Sequence, residues 1–105
     1  MQLDLAGQRT IDFPNAETIA AELRAGARDE DFFAILSEFD ARFIQTAGND
    51  TDGFTLEYQD GGLNHHYRCA NEQLAVDQVL HAFQLYLAKD KRWLTQFAWE
   101  KVDLT

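Results

Sequence analysis

Cysteine, proline and serine are nearly absent from this chain, with one residue of each in 105. Cys69 alone allows no intrachain disulfide, and one thiolate cannot build a structural zinc site. Ser37 lacks nucleophile-elbow glycines and ends an apolar run, which excludes serine nucleophile chemistry. No stretch approaches 18 consecutive apolar residues, so no membrane-spanning helix is expected. The opening MQLDLAGQRTIDF carries acids and no long apolar stretch, so no signal peptide is expected and the cytoplasm is the expected compartment. Positive charge is also short: nine Lys and Arg face 18 Asp and Glu, a net charge of −9. That balance disfavours nucleic acid and anionic membranes as partners, since both are polyanions, and favours a basic protein.

What is present is bulk. Hydrophobic residues make up 46% of the chain, including eight Phe, three Tyr and two Trp. This is enough core material for a single domain over residues 1–105, with no second core. The acidity is unevenly placed. Asp29, Glu30, Asp31, Asp50 and Asp52 all belong to residues 1–62, which hold the whole acidic excess, while residues 63–105 are balanced. The plain alternative is that acidity serves only solubility.

Hydrophobic periodicity predicts an α+β fold. Leu3 and Leu5, then Ile11 and Phe13, alternate around Ala6-Gly7-Gln8 as a small hairpin. Asn15 is placed to cap a first helix over about 15–26, with Gly26 to end it and an acidic loop over 28–31. The run Phe32 to Leu36 reads as a strand buried on both faces, and Ser37 to Asp40 as a turn. Strands follow over Arg42 to Ala47, Phe54 to Gln59 and Leu63 to Cys69, joined by the polar loop Gly48 to Gly53 and the turn Asp60-Gly61-Gly62. Asn71 is expected to cap a second helix over about 72–88, with Val76, Val79, Leu80, Phe83, Tyr86 and Leu87 as its apolar stripe. Trp93 to Phe97 suggests a further helical turn and Trp99 to Leu104 a final strand. The expected architecture is a mostly antiparallel sheet, with a central meander of about four strands and two helices packed on one face.

The chain offers no chemical signature. His65 and Cys69 share a predicted strand face but lie about 13 Å apart along it, too far for a thiolate–imidazole pair. His65 and His66 point to opposite faces, and the loop Asn49, Asp50, Asp52, Gly53 lacks the ligands of a calcium loop. No catalytic residue, metal site or cofactor is assigned. Lys89 to Lys101, with Trp93, Phe97 and Trp99, is too weakly basic for a nucleic-acid platform.

In Phe43 to Gly48, Leu56 to Gln59, His66-Tyr67, Phe83 to Tyr86 and Trp93 to Trp99 the chain resembles a group of small uncharacterised bacterial proteins. In size, acidity and α+β plan it is loosely similar to immunity proteins of bacterial toxin systems. That likeness implies a protein that neutralises a toxin, often a nuclease, by occupying its basic cleft. The leading expectation is therefore an acidic, non-enzymatic binding protein, with Asp29, Glu30, Asp31, Asp50 and Asp52 as the surface for a basic partner. One competing expectation is a small enzyme or ligand-binding domain using His65, Tyr67 and carboxylates in a pocket between sheet and helices. Another is an oligomerising module that associates through a sheet edge or the Trp93 to Trp99 segment.

Overall fold

In this computed structural model, which describes residues 1–103, period-two alternation of side chains resolves into seven strands. They are β1 (Gln2–Leu5), β2 (Arg9–Asp12), β3 (Phe33–Phe39), β4 (Arg42–Asn49), β5 (Gly53–Asp60), β6 (His66–Cys69) and β7 (Trp99–Val102). All join one antiparallel sheet in the order β2-β1-β3-β4-β5-β6-β7. The pairing register sets Leu3, Leu36, Ile44, Tyr58 and Tyr67 in one row across the sheet, and Leu5, Ala34, Thr46 and Leu56 in the next. In antiparallel pairs directly opposite residues share a face, so these rows form one apolar surface.

Two helices cover that surface: α1 (Ala16–Gly26) and α2 (Val76–Leu87), followed by a single turn, α3 (Trp93–Gln96). Asn15 caps α1 by accepting the Thr18 N–H at 2.8 Å, as the sequence predicts. Helix α2 lies against β4 and β5 and packs on α1. Ile19 and Leu23 of α1 and Val79, Ala82 and Phe83 of α2 are at most 1% exposed in a core shared with the strand rows. Burying side chains of this size is worth about 1.5–3 kcal/mol each relative to water. No helix among the described residues is long and apolar enough to cross a membrane.

Several expectations need correction. The four-stranded meander is the middle of a seven-stranded sheet, because the N-terminal hairpin and the last strand pair onto its two sides. The helical turn at Trp93 makes a third helix, and of the predicted final strand only Leu104 lies outside the described residues. Strand β3 runs through the expected turn to Phe39 and is buried on one face only, with Ala34 and Leu36 inside and Phe33 outside. Phe13 is 86% exposed at φ 52°, because β2 stops at Asp12 and the chain must swing towards Pro14. Gly26 ends α1 as expected, with Ala27 as the cap. It is glycine for space, since a Cβ there would sit 2.1 Å from the Phe32 ring. Leu63 to His65 form a 3₁₀ turn, so β6 starts at His66. Helix α2 starts at Val76 because Leu74 pairs with Phe54 as a β-bridge first, and Asn71 closes a local turn by accepting the Gln73 N–H.

The connections divide between the two ends of the sheet. At one end the Phe33 carbonyl accepts from Ala6 and the Phe32 carbonyl from Gly48, gathering the β1–β2, α1–β3 and β4–β5 connections. At the other, Gly61 N–H bonds Ala41 O at 2.8 Å, joining the β3–β4 and β5–β6 connections. Helix α2 runs from the first end, where Leu74 meets Phe54, towards the second.

Candidate functional site

The two acidic segments named from sequence meet at the first end of the sheet. Asp29, Glu30 and Asp31 follow α1, Asp50 and Asp52 lie in the β4–β5 turn, and all five are exposed. The Asp50 N–H donates to Ala27 O at 2.9 Å, which ties one segment to the other. Local bonds shape both: Asp29 Oδ1 accepts the Asp31 N–H, and Asn49 Oδ1 accepts the N–H groups of Thr51 and Asp52. None of the five carboxylates forms an ion pair with a base among the described residues. Arg28 is the only basic residue in these segments, so the charge of this end is strongly negative.

The other end holds a cavity of about 390 Å³ between the sheet and the α2–α3 segment. Its walls are aromatic. Tyr58 stacks on Tyr67 with centroids 4.9 Å apart, Trp93 meets the Tyr58 ring edge-on at 4.8 Å, and Tyr86 lies 5.6 Å from Trp93. Its charged lining is Glu38, Arg42, Asp60, Lys89 and Lys91, with His65 beside them. Arg42 Nε lies 2.9 Å from Asp60 Oδ1, close enough for an ion pair. Its N–H nevertheless makes no aligned hydrogen bond. At this distance the two charges engage each other all the same. Lys89 and Lys91 form no ion pair among the described residues.

Three buried side-chain atoms lack a hydrogen-bond partner among the described residues: Arg42 Nε, the Tyr86 hydroxyl and Trp99 Nε1. The first two belong to residues lining this cavity, and the Trp99 ring packs edge-on against Tyr58 at 4.7 Å. Tyr86 as a whole is 7% exposed. A buried hydroxyl left unbonded costs about 1–3 kcal/mol, so its retention in an otherwise apolar stripe calls for a reason. Burial pushes the Tyr86 phenol well above its ordinary value, the Glu38 carboxylate adds to the shift, and Arg42 opposes it. Burial also raises Tyr58, with Tyr67 and Asp60 adding to it. Both phenols therefore keep their protons at neutral pH.

The rim carries backbone strain. Helix α2 ends with Lys89 N–H bonded to Tyr86 O and Asp90 N–H to Leu85 O, the pairing that normally places glycine at the left-handed position. Here that residue is Lys89, at φ 58°. Arg92 then clamps the turn by donating from Nε to both Asp90 oxygens, at 2.9 and 3.1 Å, which holds the Asp90 carboxyl below its ordinary range. This short, braced connection presents Lys89 and Lys91 to the cavity.

Away from the cavity, a chain of polar contacts spans three strands. On the uncovered sheet face His66, 5% exposed, sets Nδ1 3.1 Å from Gln59 Oε1 and Nε2 3.0 Å from Glu57 Oε1. Gln45 Nε2 donates to Glu57 Oε2 at 3.3 Å, so the chain of contacts crosses β4, β5 and β6. Cys69 is 2% exposed, on the helix-covered face, and is not among the cavity's lining residues. Ser37 lies within β3 and donates weakly to Gln2 O at 3.5 Å. No group of three or more His, Cys, Asp or Glu among the described residues is arranged to hold a metal ion.

Sequence reasoning named His65 and Tyr67 as possible pocket residues, and both line the cavity. It missed Arg42, Tyr86, Lys89 and Lys91 as a group, because they come from separate parts of the chain. One signal was available: a phenol inside the apolar stripe of α2, just ahead of a run of Lys and Arg. No protein-family model, no curated protein and no solved structure matches this chain.

Proposed function

We propose that this chain is a non-catalytic binding protein that docks a basic protein through Asp29, Glu30, Asp31, Asp50 and Asp52. Neutralisation of a toxin, in the manner of an immunity protein, is the sharpest form of that reading. The observation that supports it is the Asp50–Ala27 backbone bond, which makes one acidic end out of two segments distant in sequence. Unpaired carboxylates at the surface steer a cationic partner, raising association rates about 10–10³-fold at low salt.

The test compares the wild-type chain with a variant in which all five acids are changed to Asn or Gln. Each is immobilised and exposed to lysate of the source cell at low and moderate salt. A basic protein retained by the wild type and lost from the variant supports the reading. Retention of no basic protein at either salt, or equal retention by the variant, overturns it. A second reading, a ligand-binding domain that uses the cavity, is favoured by the unbonded Tyr86 hydroxyl and needs nothing from the acidic end.

A further inference from the structure

We infer that the cavity at the second end of the sheet binds a small organic carboxylate with a flat aromatic body, its carboxylate accepting from Tyr86 and facing the charges of Arg42 and Lys91. The inference rests on the cavity reading and adds the chemistry of the occupant. Size is the first support, since about 390 Å³ lies in the range of sites that enclose small organic molecules. The unbonded Tyr86 hydroxyl, on a residue 7% exposed, is the second. The Tyr86 phenol keeps its proton and can donate it. Arg42 Nε already lies 2.9 Å from Asp60 Oδ1, so the Tyr86 hydroxyl is the donor of this lining that asks for an acceptor, and a carboxylate supplies one.

Charge selects the same occupant. Arg42, Lys89 and Lys91 face Glu38 and Asp60 in the lining, and Asp60 is already engaged by Arg42. That is a local positive balance in a chain whose net charge is −9. A cationic occupant caged by aromatic faces fits less well, because Tyr58 and Tyr67 are stacked on each other and Trp93 turns an edge to Tyr58. What the rings and Leu94 offer is an apolar wall for a flat body. Lys89, left-handed at φ 58°, adds a second ammonium to the lining.

The test is isothermal titration calorimetry of the full chain with indole-3-acetate, its neutral amide, and tryptamine, which share one ring and differ in head-group charge. The carboxylate is expected to saturate in the millimolar range or below, and the amide to bind about tenfold more weakly. Tyr86→Phe and Lys91→Gln are each expected to weaken the carboxylate about three- to tenfold and to leave the amide unchanged. Lys91 is exposed and Tyr86→Phe removes only an unbonded oxygen, so both variants fold; far-UV circular dichroism checks this. If no probe gives saturable heat up to about 10 mM, the cavity reading fails altogether. If the amide or the amine binds as well as the carboxylate, or Tyr86→Phe binds it like the wild type, the cavity stands and the carboxylate assignment falls.

Discussion

Tyr86→Phe should stabilise this protein, although it removes a polar group from a residue 7% exposed to solvent. The hydroxyl has no hydrogen-bond partner, so folding strips it of water and returns nothing. Removing it relieves a penalty of about 1–3 kcal/mol. The ring contacts with Trp93 survive in the phenylalanine variant, and no void opens. For a chain of this length the entropy of unfolding is about 0.2 kcal/mol per degree, so a gain of about 1 kcal/mol raises Tm by about 4–5 °C. The sign extends to pH. Folded Tyr86 keeps its proton above the ordinary 10.0. Above pH 10 the unfolded chain therefore holds fewer protons than the folded one, and stability falls as pH rises, by at most about 1.4 kcal/mol per unit for this group. The phenylalanine variant should lose that part of the decline and keep the part due to Tyr58, which shifts in the same direction. Urea titrations followed by circular dichroism between pH 7 and 11 measure both effects. A variant destabilised by 1 kcal/mol or more at pH 7 would refute the reasoning, because the hydroxyl would then have a partner that matters.

Lys89→Gly should add about 1 kcal/mol to stability by relieving the left-handed strain at the end of α2, and thermal melts would show it. Gly53→Ala should cost about 2–3 kcal/mol, because φ is 84° and the added Cβ would lie 2.7 Å from Gln73 Cα; denaturant midpoints check this. His66→Ala should cost about 2–4 kcal/mol, since it leaves a void and strips the Gln59 and Glu57 oxygens of their partner, again read from chemical denaturation. Neutralising the five acids of the first end should leave Tm unchanged or slightly higher, as like charges are removed from exposed loops, and differential scanning calorimetry would detect a loss that contradicts it.

The sequence by itself determined the α+β class, the positions of most elements and the location of the negative charge. Alternation in Phe54 to Gln59 and the 3.6-residue stripe of α2 are local signals, and local signals survive in a linear text. Asn15 was readable as a cap for the same reason, since it acts on an amide three residues away. The errors fall where a distant partner overrode a local rule. Gly26 is no such error, since it ends α1 as its pattern says, and Phe32 adds a further reason for glycine by filling the space a Cβ would need. Ser37 reads as a turn, but β1 and β4 pair with it on both sides and hold it in a strand. Leu74 belongs by pattern to a helix and is claimed first by Phe54.

The candidate sites divide along the same line. The sequence named the five carboxylates, but only the bond from Asp50 to Ala27 made them neighbours. The cavity was beyond reach in outline, although His65 and Tyr67 were suspected. It depends on the β3–β4 turn, the end of β5 and the close of α2 arriving at one end of the sheet. An unbonded hydroxyl is a property of everything around it. Composition can place a tyrosine in an apolar stripe, but only packing in three dimensions leaves its oxygen without a partner.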